Sequence, residues 1–499
     1  MPDTTAIIIG AGPAGLTAGY LLAKASQRVV VLESDATYVG GLSRTAEHHG
    51  YRFDIGGHRF FSKSAEIEAL WTELLGDDLL ERPRLSRIYY NHKFLAYPMR
   101  AGEVLTKLGP IEAMLSVLSY LKARLFPVPN PRSFEDWVTN QFGARLYRAF
   151  FKTYTEKVWG MSCRDISADW AAQRISGLSL GSAIRQALMP SKQKPASSDT
   201  IKTLVTSFRY PRLGPGMMWE RCRDRIVEMG GEVLLGHRVT ECRYLGGNAG
   251  WEVITRAASG EERRFTAPHV ISSAPIRELA RMIEPALPAR VTASTDALKY
   301  RDFITIALIM PDRLGLSDNW IYVHDPSVRV GRIQNFKSWS PELVPDPSMC
   351  CYGLEYFCFE GDGLWTSSDE ELIALATREL AQLGLAQVGD VQDACVVRQP
   401  KAYPVYDADY SRHVATLRTE LAEHFPGLHL VGRNGMHKYN NQDHAMMTAM
   451  LTARNIVAGE PLYDPWRVNQ DAEYHESGSA DSEIGGRAVP RAIATGTQR

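Results

Sequence analysis

The sequence predicts an α/β protein: a parallel-sheet domain assembled from separated stretches of chain, a helical insertion, and a second sheet-containing domain. Three observations predict it. The chain opens with a strand, a glycine-rich turn, a helix and a second strand within residues 6–33. Helical spacing then dominates residues 63–189, and short strand-like runs return only beyond it. A last apolar run at 428–432, followed by a helical stretch, supplies a further piece of the first domain. The 499 residues are 44% hydrophobic and 23% charged, enough for a large core, and disorder over most of the length is ruled out.

Ala6, Ile7, Ile8 and Ile9 form the short apolar run expected of a strand buried on both faces. Gly10, Ala11, Gly12, Pro13, Ala14 and Gly15 follow at once, and Leu16, Gly19, Tyr20 and Ala23 then recur at helical spacing. Gly10 permits the tight turn, Gly12 lets the backbone approach a pyrophosphate, and Gly15 lets helix and strand pack closely. Pro13 and Ala14 open the helix, whose free N–H groups face the anion. A second buried strand at 28–32 ends at Glu33, placed to accept the ribose hydroxyls of an adenosine. This is a Rossmann-like dinucleotide site.

A net charge of −1 gives no global basic excess for nucleic acid or an anionic membrane. Seven cysteines without a C-x-x-C pair argue against a disulfide framework or a zinc ribbon, so no metal is expected and a reducing cytoplasm fits. Residues 4–23 are uncharged and span-length, but their glycines and Pro13 belong to the nucleotide turn and no basic residue precedes them. The apolar block at 105–128 is interrupted by Lys107, Glu112, Lys122 and Arg124. No transmembrane segment is expected.

In the helical region, Ile67, Leu70, Trp71, Leu74 and Leu75 give one apolar face, and Phe134, Trp137, Val138, Phe142, Leu146 and Phe150 another. Residues 191–200 read as a loop. A helix at 217–229 stops at Gly230 and Gly231, and strands are expected at 232–235, 238–244, 251–256, 263–265 and 269–275. A second sheet is expected from 300–310, 321–323 and 350–359, with helices at 370–383 and 443–457. The expected partition is a nucleotide-domain segment at 1–62, a mainly helical insertion at 63–200, a middle nucleotide-domain segment at 201–290, a sheet-containing substrate domain at 291–425, a C-terminal nucleotide-domain segment at 426–465, and a flexible tail at 466–499.

Shortly after Glu33 come Gly40, Gly41, Leu42, Ser43, Arg44 and Thr45. An acid ending the second strand, then this glycine pair and arginine, resembles the flavoprotein group that contains amine oxidases, phytoene desaturases and UDP-galactopyranose mutases. The resemblance implies FAD, with Gly41 and Leu42 against it and Arg44 a candidate contact.

Three further stretches narrow the resemblance. Phe53 to Ser62 includes Gly56, Gly57 and His58; paired glycines beside a histidine permit close approach to a planar ring, and the histidine can hydrogen-bond or shuttle a proton at neutral pH. Residues 154–160 contain Lys157, Val158 and Trp159, with Trp170 and Arg174 downstream. Gly432, Arg433, Tyr439, Asn441, Gln442 and His444 crowd the start of the last helix. With Arg332 after Gly331, and Tyr403 between Ala402 and Pro404, these resemble the UDP-galactopyranose mutase family, in family order across nearly the whole chain.

The resemblance implies interconversion of pyranose and furanose forms of a nucleotide sugar without net redox, the reduced flavin acting as nucleophile at the anomeric carbon. It implies His58 at the flavin edge, Arg174 and Arg332 clamping the diphosphate, Tyr403 and Tyr439 donating to the phosphates, and Asn441 and Gln442 near flavin or sugar. Gly57, Gly432 and Arg433 join the cofactor set, NAD(P)H is the implied reductant, and a homo-oligomer is compatible. Arg suits a phosphate clamp because its planar fork donates in pairs. The chain departs from the family at Met99 and Arg100, after Tyr97 and Pro98, so base recognition can differ. Block 105–126 is more apolar than a sugar site needs, which suits ordinary core or a lipid-linked substrate. Two other functions stay open: a redox flavoenzyme of the amine oxidase or prenyl desaturase/reductase type, and a non-catalytic FAD-fold protein escorting a lipidated partner. Arginines converging on one pocket favour the mutase; an aromatic, weakly charged cage favours the oxidase.

Overall fold

The computed structural model describes residues 4–97, 107, 109–168 and 207–469. Arg174, the loop expected at 191–200 and the tail beyond 469 lie outside the described residues, as do Pro98, Met99 and Arg100.

The chain begins with β1 (Ala6–Ile9), α1 (Pro13–Lys24) and β2 (Val29–Leu32), followed by a hairpin of β3 (Thr45–His48) and β4 (Tyr51–Asp54). Then come α2 (Ala65–Leu75), β5 (Leu79–Pro83), β6 (Ser86–Tyr90), β7 (Lys93–Ala96), α3 (Pro110–Leu125), α4 (Phe134–Phe142) and α5 (Thr153–Trp159). β8 (Ser207–Pro211) and α6 (Gly216–Glu228) lead to β9 (Glu232–Leu234), β10 (His237–Gly246), β11 (Gly250–Ala257), β12 (Glu262–Ala267), β13 (His269–Ser272) and β14 (Ile283–Glu284). The last part holds β15 (Tyr300–Pro311), β16 (Trp320–Val323), β17 (Arg332–Asn335), β18 (Met349–Cys358), α7 (Asp369–Gln382), β19 (Asp393–Pro404), α8 (Tyr410–His424), β20 (Leu428–Leu430) and α9 (Gln442–Ala458).

Among the described residues, a five-stranded sheet runs β20-β13-β1-β2-β9, and each neighbouring pair is parallel. β1 sits at its centre. Ala6 and Ile8 face the core shared with α1, α6 and α9, whereas Ile7 and Ile9 face Trp251, Val253 and Leu279 on the other side. A strand buried on both faces reads as an unbroken apolar run, as this one does. The strands between β9 and β13 do not extend it: β10, β11 and β12 form their own sheet with β14. A third sheet runs β19-β15-β18-β17-β16-β6-β7. The fold is α/β, as predicted.

The helical expectation for 63–189 is corrected at residues 79–96, which form β5, β6 and β7. Ile88, Tyr89 and Tyr90 are strand formers, and Asn91 and His92, both with positive φ (48° and 57°), turn β6 into β7. An Asn-Gly there would have signalled the hairpin from sequence; Asn-His did not. The apolar block at 105–126 does not become core along its whole face, since α3 leaves Ile111, Met114, Leu118, Leu121 and Leu125 exposed. Among the described residues no helix is long and apolar enough to cross a membrane.

Close packing of α1 against β1 depends on Gly15. A Cβ built there would collide with the Gly10 carbonyl oxygen and lie 3.3 Å from the Ile8 side chain. Backbone cannot yield as a flexible side chain does. Gly15→Ala is expected to lose roughly 1–3 kcal/mol of stability, read as a lower urea midpoint at unchanged slope. An unchanged midpoint would show that the helix can move off the strand freely.

Candidate functional site

The carboxyl end of β1 meets three other turns. Gly10 adopts φ +95°, where a Cβ would lie 2.5 Å from the Ser273 hydroxyl. Gly12 is the N-cap of α1, no side chain caps the helix, and Pro13 and Ala14 form its first turn. Gly41 approaches Gly12 so closely that a Cβ would lie 3.3 Å from the Gly12 Cα. Gly432, with φ +80°, seats against Ala14 and donates its N–H to the Thr448 hydroxyl at 2.9 Å. Gly432 thus joins the first turn of α1, through Ala14, to the second turn of α9, through Thr448, at the end of the parallel sheet.

Glu33 braces this turn. Its carboxylate accepts the Ala11 N–H at 2.7 Å and the Asp35 N–H at 2.9 Å. Arg44 does similar work on the other side, donating to the Gly41 carbonyl at 3.0 Å and the Gln399 side chain at 2.6 Å, which ties the glycine turn to β19. Burial lowers the Arg44 pKa, partly offset by Asp35 and Glu33. Leu42 packs against the cluster of Ile55, Phe303, Phe357 and Ala402.

Fit to a dinucleotide cofactor can be tested on these residues. An uncapped helix N-terminus faces the glycine turn, and the side-chain nitrogen and oxygen of Gln442, at the first position of α9, are buried without a partner. An orphaned buried amide costs about 1–3 kcal/mol unless a ligand satisfies it. Asn441 precedes it and its N–H meets His444 Nδ1 at 3.2 Å. The residues fit the group: Gly10 to Gly15, Glu33, Gly41 and Gly432 would hold its phosphates and ribose, and Gln442 would meet a polar edge.

The histidine loop follows β4. Asp54 is fully buried, bonded by the Tyr210 hydroxyl at 2.7 Å, and burial raises its carboxyl well above the usual range. A Cβ on Gly57 would collide with the Trp320 indole, so the planar ring that this glycine admits is a tryptophan of the protein itself. His58 Nδ1 lies 3.0 Å from the Gly56 carbonyl, which makes Nδ1 the donor and leaves Nε2 as acceptor. Burial, then the nearby Arg433 and Arg332, push its pKa down to about 3. A neutral imidazole with a donor at Nδ1 and an acceptor at Nε2 suits the hydrogen-bonding role expected of it.

Beside it lies a guanidinium–phenol cluster. Arg332, the first residue of β17, pairs with Glu355 directly across on β18 and donates to the Tyr403 hydroxyl at 3.2 Å. Its guanidinium lies over Trp320 at 5.1 Å and Phe357 at 4.8 Å. Tyr403 stacks on Tyr439, with centroids 5.5 Å apart and planes 13° apart. Arg433 covers both rings, at 5.2 and 5.3 Å, anchored on the Asn440 and Ala402 carbonyls. Two guanidiniums against one carboxylate leave one net positive charge. Glu355 also accepts from Gln334 at 2.6 Å, and its charge keeps Arg332 protonated against the cost of burial.

Lys157 is committed to structure. Its ammonium donates to the carbonyls of Val323, Asp325 and Val330, and burial brings its pKa down to about 8. Trp159 lies 6.3 Å from Tyr439, and Tyr154 stacks on His324 at 4.8 Å. Of the expected residues, the structure brings together His58, Arg332, Arg433, Tyr403 and Tyr439. Glu355, Trp320 and Gln399 were missed. Glu355 had a signal: it is the one charged residue in the otherwise apolar and aromatic run of β18, and a buried acid demands a partner.

The family described as flavin containing amine oxidoreductase matches residues 13–457. Coproporphyrinogen III oxidase of Mycobacterium tuberculosis is 24% identical over 437 residues, 83% of this chain and 90% of that protein. The dTDP-fucopyranose mutase of Escherichia coli is 28% identical over 170 residues, 32% of this chain and 43% of its own. A crystal structure of reduced UDP-galactopyranose mutase is similar with a TM-score of 0.78 and 18% identity, over 94% of this chain and 96% of that one. That likeness is one of fold.

Buried neutral histidines make the fold acid-sensitive. His324 and His437 are 6% and 1% exposed, and burial pushes their pKa values to about 3 and about 4. Below pH 6.5 the unfolded chain binds protons that the folded chain refuses, so stability falls as pH falls. Each residue contributes a slope of up to about 1.4 kcal/mol per pH unit between 6.5 and its folded value. Urea midpoints measured from pH 7 to pH 5 should fall, and His437→Gln should flatten the fall. A pH-independent midpoint would mean these rings are protonated in the folded state.

Proposed function

The chain belongs to the flavin containing amine oxidoreductase family, and within it we propose a mutase-like enzyme that interconverts the pyranose and furanose forms of a nucleotide sugar. The observation that carries this reading is the cluster of Arg332, Tyr403, Tyr439 and Arg433 beside His58. FAD, when bound and reduced, supplies a nucleophile for the anomeric carbon; NAD(P)H serves only to reduce it.

In each turnover the anomeric C–O bond to the diphosphate breaks and re-forms, so negative charge grows and recedes on a phosphate oxygen. Fixed guanidiniums and phenol O–H groups stabilise that charge without reorganising. Arg332 cannot drift, because Glu355, Trp320 and Phe357 hold its plane. Tyr403 is held between Arg332 and the Tyr439 ring, which aims its hydroxyl. Arg174 belongs to the same clamp by resemblance. His58, neutral, can hold a polar group of sugar or cofactor through Nε2. The mutase of Escherichia coli, similar over a third of this chain, accords with this reading.

A second reading is a flavin-dependent oxidoreductase. Glu355 neutralises one of the two guanidiniums, and Trp320, Phe357, Tyr403 and Tyr439 line the same region with aromatic surface. The longer similarity to coproporphyrinogen III oxidase also favours it. The two readings part on electron balance. Dithionite-reduced protein incubated anaerobically with UDP-, GDP- and dTDP-hexopyranoses should yield a ring isomer by chromatography over many turnovers per reductant. In parallel incubations with NAD(P)H or in air, hydride consumption or hydrogen peroxide in proportion to a substrate, with no isomer in the anaerobic one, would establish the oxidoreductase.

Tyr403→Phe removes one donor without removing the ring stack. In the mutase reading it should lower kcat/KM by roughly 10–100-fold while flavin content stays unchanged. Unaltered turnover of the active sugar would take the phenol out of the clamp.

A further inference from the structure

The tip of the β3–β4 hairpin lies on the first residue of β19. β3 and β4 pair up to His48 opposite Tyr51, so only His49 and Gly50 make the turn, both with positive φ (50° and 84°). That is the backbone of a two-residue primed turn, whose first position favours Asn, Asp or Gly. A histidine there is uncommon and mildly strained. Its consequence is geometric. Successive residues of a strand point to opposite faces, yet the left-handed turn brings the His48 and His49 rings to the same side, with centroids 4.0 Å apart.

Both rings converge on Asp393. His48 Nε2 lies 3.1 Å from the carboxylate and His49 Nδ1 2.7 Å from Oδ2. The Asp393 Oδ1 also accepts the Ala394 N–H at 2.8 Å. Two imidazole nitrogens and one carboxylate oxygen can be chosen that all lie within 4.8 Å of one another. We propose that His48, His49 and Asp393 form a binding site for a divalent transition-metal ion of the zinc type.

The donor set and the spacing both suit it. Zinc takes imidazole nitrogen and carboxylate oxygen at about 2.0–2.2 Å, which sets donors on a tetrahedron roughly 3.3 Å apart. The nitrogen–oxygen separations of 2.7 and 3.1 Å lie close to that edge, and no pair of the three donors is more than 4.8 Å apart, a spread that ring rotations can close around an ion. Side-chain exposures of 25%, 73% and 36% leave the fourth position to water.

The ion would act as a tie. Thr45, at the base of the hairpin, is anchored to α6 through the Gly216 N–H at 2.9 Å, and Asp54, at its other base, precedes the His58 loop. The metal would replace the tip's hydrogen bonds to Asp393 with a firmer link to β19. At about 3.3 Å per residue, Tyr403 lies roughly 30 Å along that strand, so the site is structural and separate from the reaction.

The test uses untagged, full-length, flavin-loaded protein, stripped by chelator and titrated with zinc chloride by calorimetry. Metal per chain is then counted after gel filtration. Wild type should retain one zinc and gain thermal stability from it. His49→Asn, which suits the turn, and Asp393→Asn should each weaken binding by about 100-fold or more, beyond the cost of a lost supporting group. His424→Gln, which removes an exposed histidine paired with a single carboxylate, Glu420, should bind like wild type. Flavin content and circular dichroism confirm that each variant is folded. No zinc on wild type, or equal affinity in wild type and both site variants, overturns the proposal.

Discussion

Arg332 and Glu355 face each other across neighbouring strands in a nearly dry interior, and the seven-stranded sheet is arranged around that pair. Taking two charges out of water costs several kcal/mol per ion, and their attraction offsets it only with good geometry and further hydrogen bonds. Here Gln334 occupies one carboxylate oxygen and Tyr403 accepts from the guanidinium. Register does the rest. A shift of one residue between β17 and β18 would send every side chain to the opposite face and strand both charges. The pair is thus a reason for β16, β17 and β18 to sit as they do, and for Tyr403 to find its partner at the end of a twelve-residue strand.

The nucleotide side obeys a steric constraint instead. Parallel neighbours of β1 come from residues 29–32 and 269–272, and β20 joins beyond them. Each return to the sheet needs a long excursion, and loop-closure entropy grows only slowly with excursion length, so whole domains can be threaded between adjacent strands. What such a sheet cannot tolerate is bulk at its carboxyl end. Gly10, Gly15, Gly41 and Gly432 each sit where a side chain would strike backbone, a neighbouring side chain or the facing turn.

Electrostatics link the two sides. Arg332 and Arg433 both bear on His58, and with burial they hold its ring neutral. One net positive charge remains in a wall of phenols and indole. An anion leaving group or an anionic substrate would be drawn to it, while a cationic substrate would meet repulsion. The same low dielectric that strengthens these contacts makes the unpartnered Gln442 amide costly, and it lies where the glycine turns meet α9.

By itself the sequence determined the elements whose cause is local. The run Ala6 to Ile9 is apolar at every position because both faces are buried, and the glycines of the first turn announce a close approach whatever it is to. Gly57 likewise announced a ring, and His58, Arg332, Arg433, Tyr403 and Tyr439 were legible as polar groups in unusual company. Tertiary structure decided what each of them meets. It put Trp320 against Gly57, set Glu355 opposite Arg332, spent Lys157 on three carbonyls, and turned 86–96 into two strands of a sheet whose other members lie more than two hundred residues on. Periodicity and backbone freedom are properties of neighbouring residues and survive in one dimension. Pairing across strands, burial of a charge and the field at a histidine depend on register between distant segments, which no local pattern encodes.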